Sequence, residues 1–222
     1  MNSVILSKAY IKPPFCEKEI LRYAGCREER EEISILLKEC INEVEDKLSY
    51  KVCYRELPIK TDGNICDFEV FSVQSEKLAR NLKDCEKVIL FAATVGVEID
   101  RLIGKYGRLS PVKALLFQAI GAERIEALCD AFCADIKEEY NVGLKPRFSP
   151  GYGDLSLSAQ KDIFLVLDCE RRIGLTLNSS LLMSPSKSVT AFVGLGGEEK
   201  RTPNKCSLCE KTDCTFAKVF KL

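Results

Sequence analysis

The sequence predicts an α+β fold, with one domain over residues 1–195 and a cysteine-containing C-terminal tail over residues 196–222. Three observations support this prediction. Long amphipathic helices, a hairpin pattern and a strand-like apolar run occur in the same chain. No stretch before Leu195 is a linker long enough to separate two domains. Hydrophobic residues make up 46% of the 222 residues, which is enough to bury a sizeable core.

Two helices are predicted near the N-terminus. Residues 15–23 follow a pair of prolines and form a short helix that Gly25 stops. Residues 27–50 form a longer amphipathic helix, because their apolar residues recur at helical spacing. Acidic residues at positions 28–32 fall in its first turns, where the helix dipole favours negative charge.

Strand patterns follow the second helix. Residues 51–57 and 65–71 alternate between apolar and polar side chains, and Asp62-Gly63-Asn64 supplies a turn between them, so we expect a β-hairpin. Residues 76–83 form a helix. Residues 88–95 are a continuous apolar run rich in β-branched side chains, which predicts a strand buried on both faces.

The longest predicted helix spans residues 111–140. A helix ending near Tyr106 precedes it, and Ser110-Pro111 is a favourable start because proline is well accepted at the first helical position. Three carboxylates on the long helix either line a site or, more simply, lie on its solvated faces; they are Glu123, Asp130 and Asp135.

The last third of the domain contains a loop, a helix and two strands. Residues 145–154 form the loop and residues 158–172 an amphipathic helix. Residues 175–177 and 189–195 are expected to be strands on either side of a turn at residues 183–186.

Composition excludes several classes of function. The 33 basic and 33 acidic residues give no net charge, which argues against a nucleic-acid binder that works by bulk charge. The sequence has no apolar run long enough to span a membrane and no signal-peptide pattern at its start. We therefore expect a soluble cytoplasmic protein that binds neither nucleic acid nor membrane.

The chain contains no histidine, which removes Ser-His-Asp and Cys-His catalysis and every histidine-ligated metal site. It contains twelve cysteines, and without an export signal we expect their thiols to be reduced. Four of them lie within predicted helices and are most simply small core residues: Cys40, Cys129, Cys133 and Cys169.

The loop from Arg147 to Asp154 has the composition of a ligand-binding loop. Glycine allows a ligand to approach the backbone, arginine offers a fork for a carboxylate, and tyrosine adds a flat face for a ring. An ordinary turn between helices is an equally good interpretation of the residues alone, because Pro-Gly is common in loops.

A second stretch, residues 182–191, is a hydroxyl-rich turn that enters a strand. Its serine and threonine side chains either bond a ligand or, more commonly, bond their own backbone. Taken alone, this stretch is a weak indication of function.

Together the two stretches resemble the S-adenosylmethionine-binding activation domain of cobalamin-dependent methionine synthase. That family has an Arg-x-x-Pro-Gly-Tyr loop, an amphipathic helix ending in glycine, and a Met-x-Pro-x-x-Ser-Val-Ser-Gly turn and strand. The resemblance runs from Arg147 to Ala191, and a looser likeness includes Ala92-Ala93-Thr94-Val95-Gly96 and the helix around Gly121. It implies helices packed around a twisted, mainly antiparallel sheet.

The resemblance also implies site residues. Arg147 matches the arginine that contacts S-adenosylmethionine, and the backbone that lines the ligand corresponds to Ser149, Pro150, Gly151 and Tyr152. Ala191 and Phe192 fall where the family presents an aromatic pair beside the ligand, but Val193 replaces the second ring. The family's Pro-x-His-Thr segment and its N-terminal ligand-binding aspartate have no counterpart here.

The function implied by this resemblance is reactivation of a cobalamin enzyme by reductive methylation with S-adenosylmethionine. Residues of this chain would position the methyl donor, so no nucleophile is required of it. The chain lacks a cobalamin-binding Asp-x-His-x-x-Gly motif, so methionine synthase or another corrinoid methyltransferase would supply the cobalamin. A flavodoxin- or ferredoxin-type protein is the expected electron donor. The chain would be a component of that activity rather than a self-sufficient enzyme.

The tail offers a different function. Cys206, Cys209 and Cys214 lie among lysines, and two thiolates with two residues between them can ligate one metal ion. An iron–sulfur cluster or zinc would need a fourth ligand from another cysteine, and redox-active or inert thiols are the other interpretations. The alternative function is therefore an electron-transfer or metal-binding accessory protein in which S-adenosylmethionine binding is lost. A third interpretation is a regulatory or assembly module that keeps only the fold.

Overall fold

The computed structural model describes residues 4–26 and 30–196. The metal ligands predicted in the tail, Cys206, Cys209 and Cys214, lie outside these residues. No helix in the two described stretches is both long and apolar enough to cross a membrane. The first half of the described chain contains β1 (Leu6–Ala9), α1 (Glu17–Tyr23), α2 (Glu31–Val44), β2 (Lys51–Pro58), β3 (Lys60–Asp62), β4 (Ile65–Asp67), β5 (Ser72–Gln74), α3 (Glu76–Asn81) and β6 (Lys87–Thr94).

The second half begins with two helices and ends on a long strand. A short 3-10 helix, Leu157–Ala159, precedes α6. The elements are α4 (Glu98–Leu109), α5 (Pro111–Tyr140), α6 (Gln160–Leu167), α7 (Cys169–Ile173), β7 (Thr176–Leu177), β8 (Met183–Ser184) and β9 (Ser188–Leu195). The α+β fold predicted from the sequence is confirmed.

The central layer is a four-stranded antiparallel sheet in the order β1-β2-β6-β9. Cys53 of β2 lies opposite Ala92 of β6, and Phe91 of β6 lies opposite Ala191 of β9. Strands β3, β4 and β5 form a second sheet, and β7 pairs with β8.

Both faces of the central sheet are covered by helices. Successive side chains of β6 therefore enter two different cores, one on each face. Ile89, Phe91 and Ala93 belong to the core that includes α2 and α5. Val88, Leu90 and Ala92 belong to the core that includes α3, α6 and α7. The prediction of a strand buried on both faces is therefore confirmed.

Helix α5 also matches its prediction. It runs from Pro111 to Tyr140, and the Ser110 hydroxyl caps it by accepting a hydrogen bond from the backbone N–H of Lys113. It ends at Asn141, which has a left-handed backbone with φ of 50°. This helix supplies two carboxylates, Glu126 and Asp130, that bond Arg147.

The predicted hairpin between residues 51–57 and 65–71 is wrong. The turn does form a hairpin, but it joins β3 to β4 through Gly63 and Asn64. Strand β2 pairs with β1 and β6 instead, because its alternate side chains fill both cores.

Three further boundaries differ from expectation. Helix α2 ends at Val44 rather than residue 50, and residues 45–47 turn the chain toward β2. The helix expected over residues 158–172 is broken at Asp168, whose φ is 51°. Residues 183–184, which were expected to belong to a turn, instead form strand β8 and pair with residues 176–177.

The interpretation of the long-helix carboxylates as solvated is wrong for Glu123. Its side chain is buried and forms an ion pair with the buried guanidinium of Arg124. Asp130 and Asp135 are more exposed, and they pair with Arg147 and Lys8 respectively. A charge on an amphipathic helix can be buried when a partner neutralises it.

Candidate functional site

The loop that begins at Arg147 runs along the outer edge of β9. The Phe148 N–H donates to the Phe192 carbonyl at 3.0 Å, and the Phe192 N–H donates to the Phe148 carbonyl at 2.9 Å. The two segments that the sequence singled out, around residues 147–152 and 191–192, are therefore neighbours in the fold.

This pairing determines where Arg147 points. Phe148 packs into the core on the α3 and α6 side of the sheet. Successive side chains of an extended segment alternate between faces, so Arg147 lies on the opposite side, against α5.

Arg147 is held there by two carboxylates of α5. Its Nη2 donates to Glu126 Oε2 at 2.7 Å and its Nη1 donates to Asp130 Oδ1 at 2.5 Å. Nη1 also lies 3.9 Å from Cys133 Sγ. The guanidinium thus occupies a polar position beside the apolar core, and burial raises the pKa of the nearby Cys129 thiol above its usual range.

The loop beyond Arg147 is compact. The Gly151 N–H donates to the Leu155 carbonyl at 2.9 Å, and the Tyr152 N–H donates to the Ser149 carbonyl at 3.1 Å. Gly153 has φ of 63°, and a Cβ at that position would lie 2.8 Å from Cδ of Lys77. The left-handed backbone favours glycine there, whereas the lysine side chain is flexible and can move aside.

Asp154 fastens the end of the loop to α3. Its carboxylate accepts hydrogen bonds from the Ser75 hydroxyl at 2.5 Å and from the Glu76 N–H at 2.8 Å. The Ser75 hydroxyl in turn accepts from the Leu78 N–H at 3.0 Å. Donation by Ser75, and then by the helix N–H groups, holds the pKa of Asp154 below its usual value.

The loop presents a mixed surface. Pro150 is buried and Ser149 is half-buried, whereas Gly151 is exposed. Tyr152 is 66% exposed, with its ring edge-on to Phe148 at a centroid distance of 5.3 Å. One face of an aromatic ring is therefore available to stack on a planar group.

Ala191 and Phe192 support this surface from beneath. Both side chains are fully buried. Ala191 belongs to the α5-side core, while the Phe192 ring stacks on Phe68 at 4.9 Å. Phe192 contributes to the site through the two backbone hydrogen bonds that position Phe148.

The hydroxyl-rich turn before β9 is bonded to the protein itself. The Ser186 N–H donates to the Asp100 carboxylate at 2.7 Å, and the Ser188 hydroxyl donates to the Thr94 hydroxyl at 2.8 Å. Lys187 Nζ donates to Gln118 Oε1 at 2.5 Å, and burial lowers the pKa of Lys187. The turn fastens β9 to α4 and α5.

A polar cleft of about 550 Å³ opens on the other side of the loop. It lies between the start of α3 and the 3-10 helix that precedes α6. Its lining includes Asn64, Gln74, Ser75, Asp154, Ser156 and Asp162.

The cysteines among the described residues do not form disulfides. Cys40, Cys129 and Cys169 are buried, as expected for small core residues, and Cys133 is half-buried. In the part of the chain that the structure describes, no three Cys, Asp or Glu side chains are grouped so that they could hold a metal ion.

Sequence reasoning missed two features of this site. Glu126 was not predicted as a partner of Arg147. A signal existed, because Glu126 and Asp130 are four residues apart on one helix face, and both side chains can then reach one cation. The link from Asp154 to Ser75 joins residues 79 positions apart, and no local pattern indicates it.

Comparisons with known proteins bear on the fold of this chain. No family model and no curated protein matches the sequence. Among solved structures, the crystal structure of the MetH reactivation domain bound to AdoHcy is similar, with a TM-score of 0.67 and 14% sequence identity. The match covers 89% of this chain and 80% of that chain. The two proteins share a fold.

Proposed function

We propose that this chain binds S-adenosylmethionine and supports reactivation of cobalamin on a partner enzyme by reductive methylation. The observation that carries the proposal is the shared fold with a reactivation domain bound to AdoHcy, over 89% of this chain. AdoHcy, S-adenosylhomocysteine, is what remains of S-adenosylmethionine after its methyl group is transferred.

The proposed binding surface consists of Arg147, the loop backbone that follows it and the exposed ring of Tyr152. Arg147 suits the ligand carboxylate because a guanidinium offers paired donors. Ser149, Pro150, Gly151 and Tyr152 would form the backbone wall of the site, and the exposed Tyr152 ring would stack on the adenosine part. Ala191 and Phe192 lie beneath this surface and position it through the pairing of Phe192 with Phe148.

The reaction proposed for the complex balances with one electron. Cob(II)alamin accepts an electron and the methyl group of S-adenosylmethionine, which gives methylcobalamin and S-adenosylhomocysteine. This chain would contribute by orienting the sulfonium methyl toward the partner. The partner would be methionine synthase or another corrinoid methyltransferase, and a flavodoxin- or ferredoxin-type protein would donate the electron.

Calorimetric titration of S-adenosylmethionine into the protein tests the binding step. We expect saturable one-to-one binding that weakens by about 1.5–3 kcal/mol in Arg147→Ala, because a charged hydrogen-bond partner is lost. Arg171→Ala is the matched control, since that side chain is 80% exposed and lies on α7. Absence of binding by folded protein would favour the interpretation of a module that keeps only the fold.

The tail cysteines have a separate test. Cys206, Cys209 and Cys214 remain a prediction, because they lie outside the described residues. Iron, sulfide and zinc should be measured on anaerobically purified protein and on the triple Cys→Ser variant. About one equivalent of zinc, or an iron–sulfur cluster, that the variant lacks would support the metal site; equal metal content in the two proteins would refute it.

A further inference from the structure

One cysteine of the described domain lies at the point where the cysteine-containing tail begins. Cys85 is in the turn between α3 and β6, and its Sγ lies 3.8 Å from the carbonyl oxygen of Gly196. Gly196 is the last described residue, and its N–H donates to the Gly143 carbonyl at 2.9 Å. The end of β9, from which the tail continues, is therefore fixed beside the Cys85 thiol.

The tail supplies three cysteines, whereas a structural zinc site has four ligands. Burial sorts the described cysteines that could complete the set. Cys85, Cys26 and Cys133 are half-buried and Cys16 is exposed. The other five are enclosed in the two cores and are closed to a metal ion held by the tail: Cys40, Cys53, Cys66, Cys129 and Cys169.

Cys16 and Cys26 lie far from the start of the tail. The Cys16 N–H donates to Glu123 Oε1 at 3.3 Å, and Cys26 follows α1, which packs against the same helix, α5. Tyr140 ends α5, and the helix rises about 26 Å between Glu123 and that end. The tail leaves the domain beyond this end, beside residue 143.

Cys133 lies on the other side of the central sheet. It packs against the core that includes α2 and α5, whereas Cys85 packs against the core that includes α3 and α6. Cys133 Sγ also lies 3.9 Å from Nη1 of Arg147. Among the described cysteines, Cys85 is thus the one that combines partial exposure with a position at the start of the tail.

The surroundings of Cys85 suit a thiolate ligand. A Cβ at Gly194 would lie 2.7 Å from Cys85 Sγ and 3.0 Å from Lys145 Cγ, so both side chains lie over this glycine. Glycine leaves room for the sulfur there. A zinc ion with four thiolates carries a negative net charge, which a neighbouring lysine opposes.

Spacing within the tail favours zinc over an iron–sulfur cluster. Two residues separate Cys206 from Cys209, and four separate Cys209 from Cys214. Zinc ligands are typically separated by two to four residues, whereas bacterial clusters use a Cys-x2-Cys-x2-Cys-x3-Cys run.

The chain is also long enough to close the site. Ten residue steps lead from Gly196 to Cys206, and an extended chain of that length spans at most about 33–36 Å. The sulfur of Cys85 lies next to the first of these residues, so the segment can fold back to it. Closing a loop this short costs little more entropy than closing a shorter one.

We infer that Cys85, Cys206, Cys209 and Cys214 together bind one zinc ion. This inference rests on the metal site proposed for the tail and names its fourth ligand. Each thiol releases its proton to solvent as it binds, and no oxidant or reductant is required. The bound ion would fasten the tail beside the end of β9, on the α3 side of the central sheet.

Zinc affinity of the full chain tests the inference, measured under reducing conditions by competition with a chelator of known affinity. We expect Cys85→Ser and Cys206→Ser each to weaken zinc binding by at least about tenfold, because changes to residues that only support metal ligands already cost about 10–100-fold. Cys133→Ser is the matched control, a second half-buried cysteine, and should leave the affinity unchanged. Circular dichroism checks that each variant is folded.

Cobalt(II) provides a second measurement that does not depend on the folding of Cys85→Ser. Its sulfur-to-cobalt absorption grows with the number of bound thiolates. We expect the wild-type chain and Cys133→Ser to show four thiolates. Three thiolates in the wild type would overturn the inference, as would the loss of one thiolate in Cys133→Ser.

The possible failures can be distinguished. If Cys85→Ser is folded and binds zinc as tightly as the wild type, Cys85 is not a ligand, although the tail site stands. If the wild type binds zinc no more tightly than the triple variant of the tail cysteines, the tail site fails and the inference fails with it. Iron and sulfide in anaerobically purified protein would overturn the assignment to zinc. None of these results changes the calorimetric test for S-adenosylmethionine.

Discussion

Two arginines of this protein contact carboxylates of the same helix, α5, in opposite ways. Arg124 is completely buried, and its N–H groups donate to Glu123, to the Pro13 carbonyl at 2.5 Å and to the Pro14 carbonyl at 2.8 Å. The Phe15 ring covers its guanidinium at 3.9 Å. Arg147 is partly exposed and donates to two carboxylates that solvent also reaches.

The difference in burial separates an arginine that is sealed inside the fold from one that solvent can reach. The acceptors around Arg124 include the carbonyls of Pro13 and Pro14, which precede α1. The buried guanidinium therefore holds that segment against α5. Arg147 pairs with Asp130, whose side chain is 72% exposed, so solvent reaches its hydrogen-bond network. The same residue type is therefore fully buried at one position and lies at the surface of the candidate site at the other.

The largest expected effect is on stability. Arg124→Met leaves Glu123 buried without a countercharge, and we expect the free energy of unfolding to fall by about 3–5 kcal/mol. Urea denaturation followed by circular dichroism measures this loss. The double variant Arg124→Met with Glu123→Leu should recover part of it, because both charges are then removed. A loss below about 1 kcal/mol in the single variant would show that the buried pair is not a structural clamp.

A smaller effect on stability is expected at the second arginine. Arg147→Ala leaves two carboxylates that water can solvate, so the free energy of unfolding should change by less than about 1 kcal/mol. The same urea experiment measures it. If Arg147→Ala destabilises the protein as much as Arg124→Met, the distinction between the two arginines does not hold.

The smallest effect concerns the loop that carries Arg147, and it depends on pH. The folded state lowers the pKa of Asp154. Its ionised carboxylate therefore stabilises the fold at pH values above the unfolded pKa, which is near 3.9. This stabilisation is lost as the pH falls through the folded pKa. Asp154→Asn should therefore lower stability at pH 6, and its difference from wild type should shrink as pH falls below about 4. Urea unfolding at several pH values measures this, and Asp62→Asn, an exposed carboxylate, is the control. A difference that is constant with pH would contradict the role of Asp154 as an ionised anchor.

The elements that the sequence predicted well are those specified by local patterns. Helix α5 has a serine cap and a proline start, and β6 is a continuous apolar run, so neither depends on a distant partner. Strand β1 was not predicted because its four residues are all exposed and it is defined by pairing with β2.

Most of the wrong predictions concern which strand or helix a segment pairs with in the folded protein. The turn at Gly63 is a true hairpin turn, but nothing in its sequence specifies that β2 pairs with β6. At the candidate site, family resemblance indicated Arg147 and Phe192. The contact of Arg147 with Glu126 arises only when α5 packs against the loop that carries Arg147. Residues that act through tertiary contacts are therefore the ones that sequence patterns omit.

The pairing of Phe148 with Phe192 also has a consequence for association between molecules. Strand β9 is the last strand of the central sheet, and residues Leu144 and Phe148 form bridges along its outer edge. An uncovered apolar edge strand is a template for pairing with another chain. The segment that carries Arg147 thus covers the β9 edge of the sheet. Variants that loosen this segment should aggregate before they lose secondary structure.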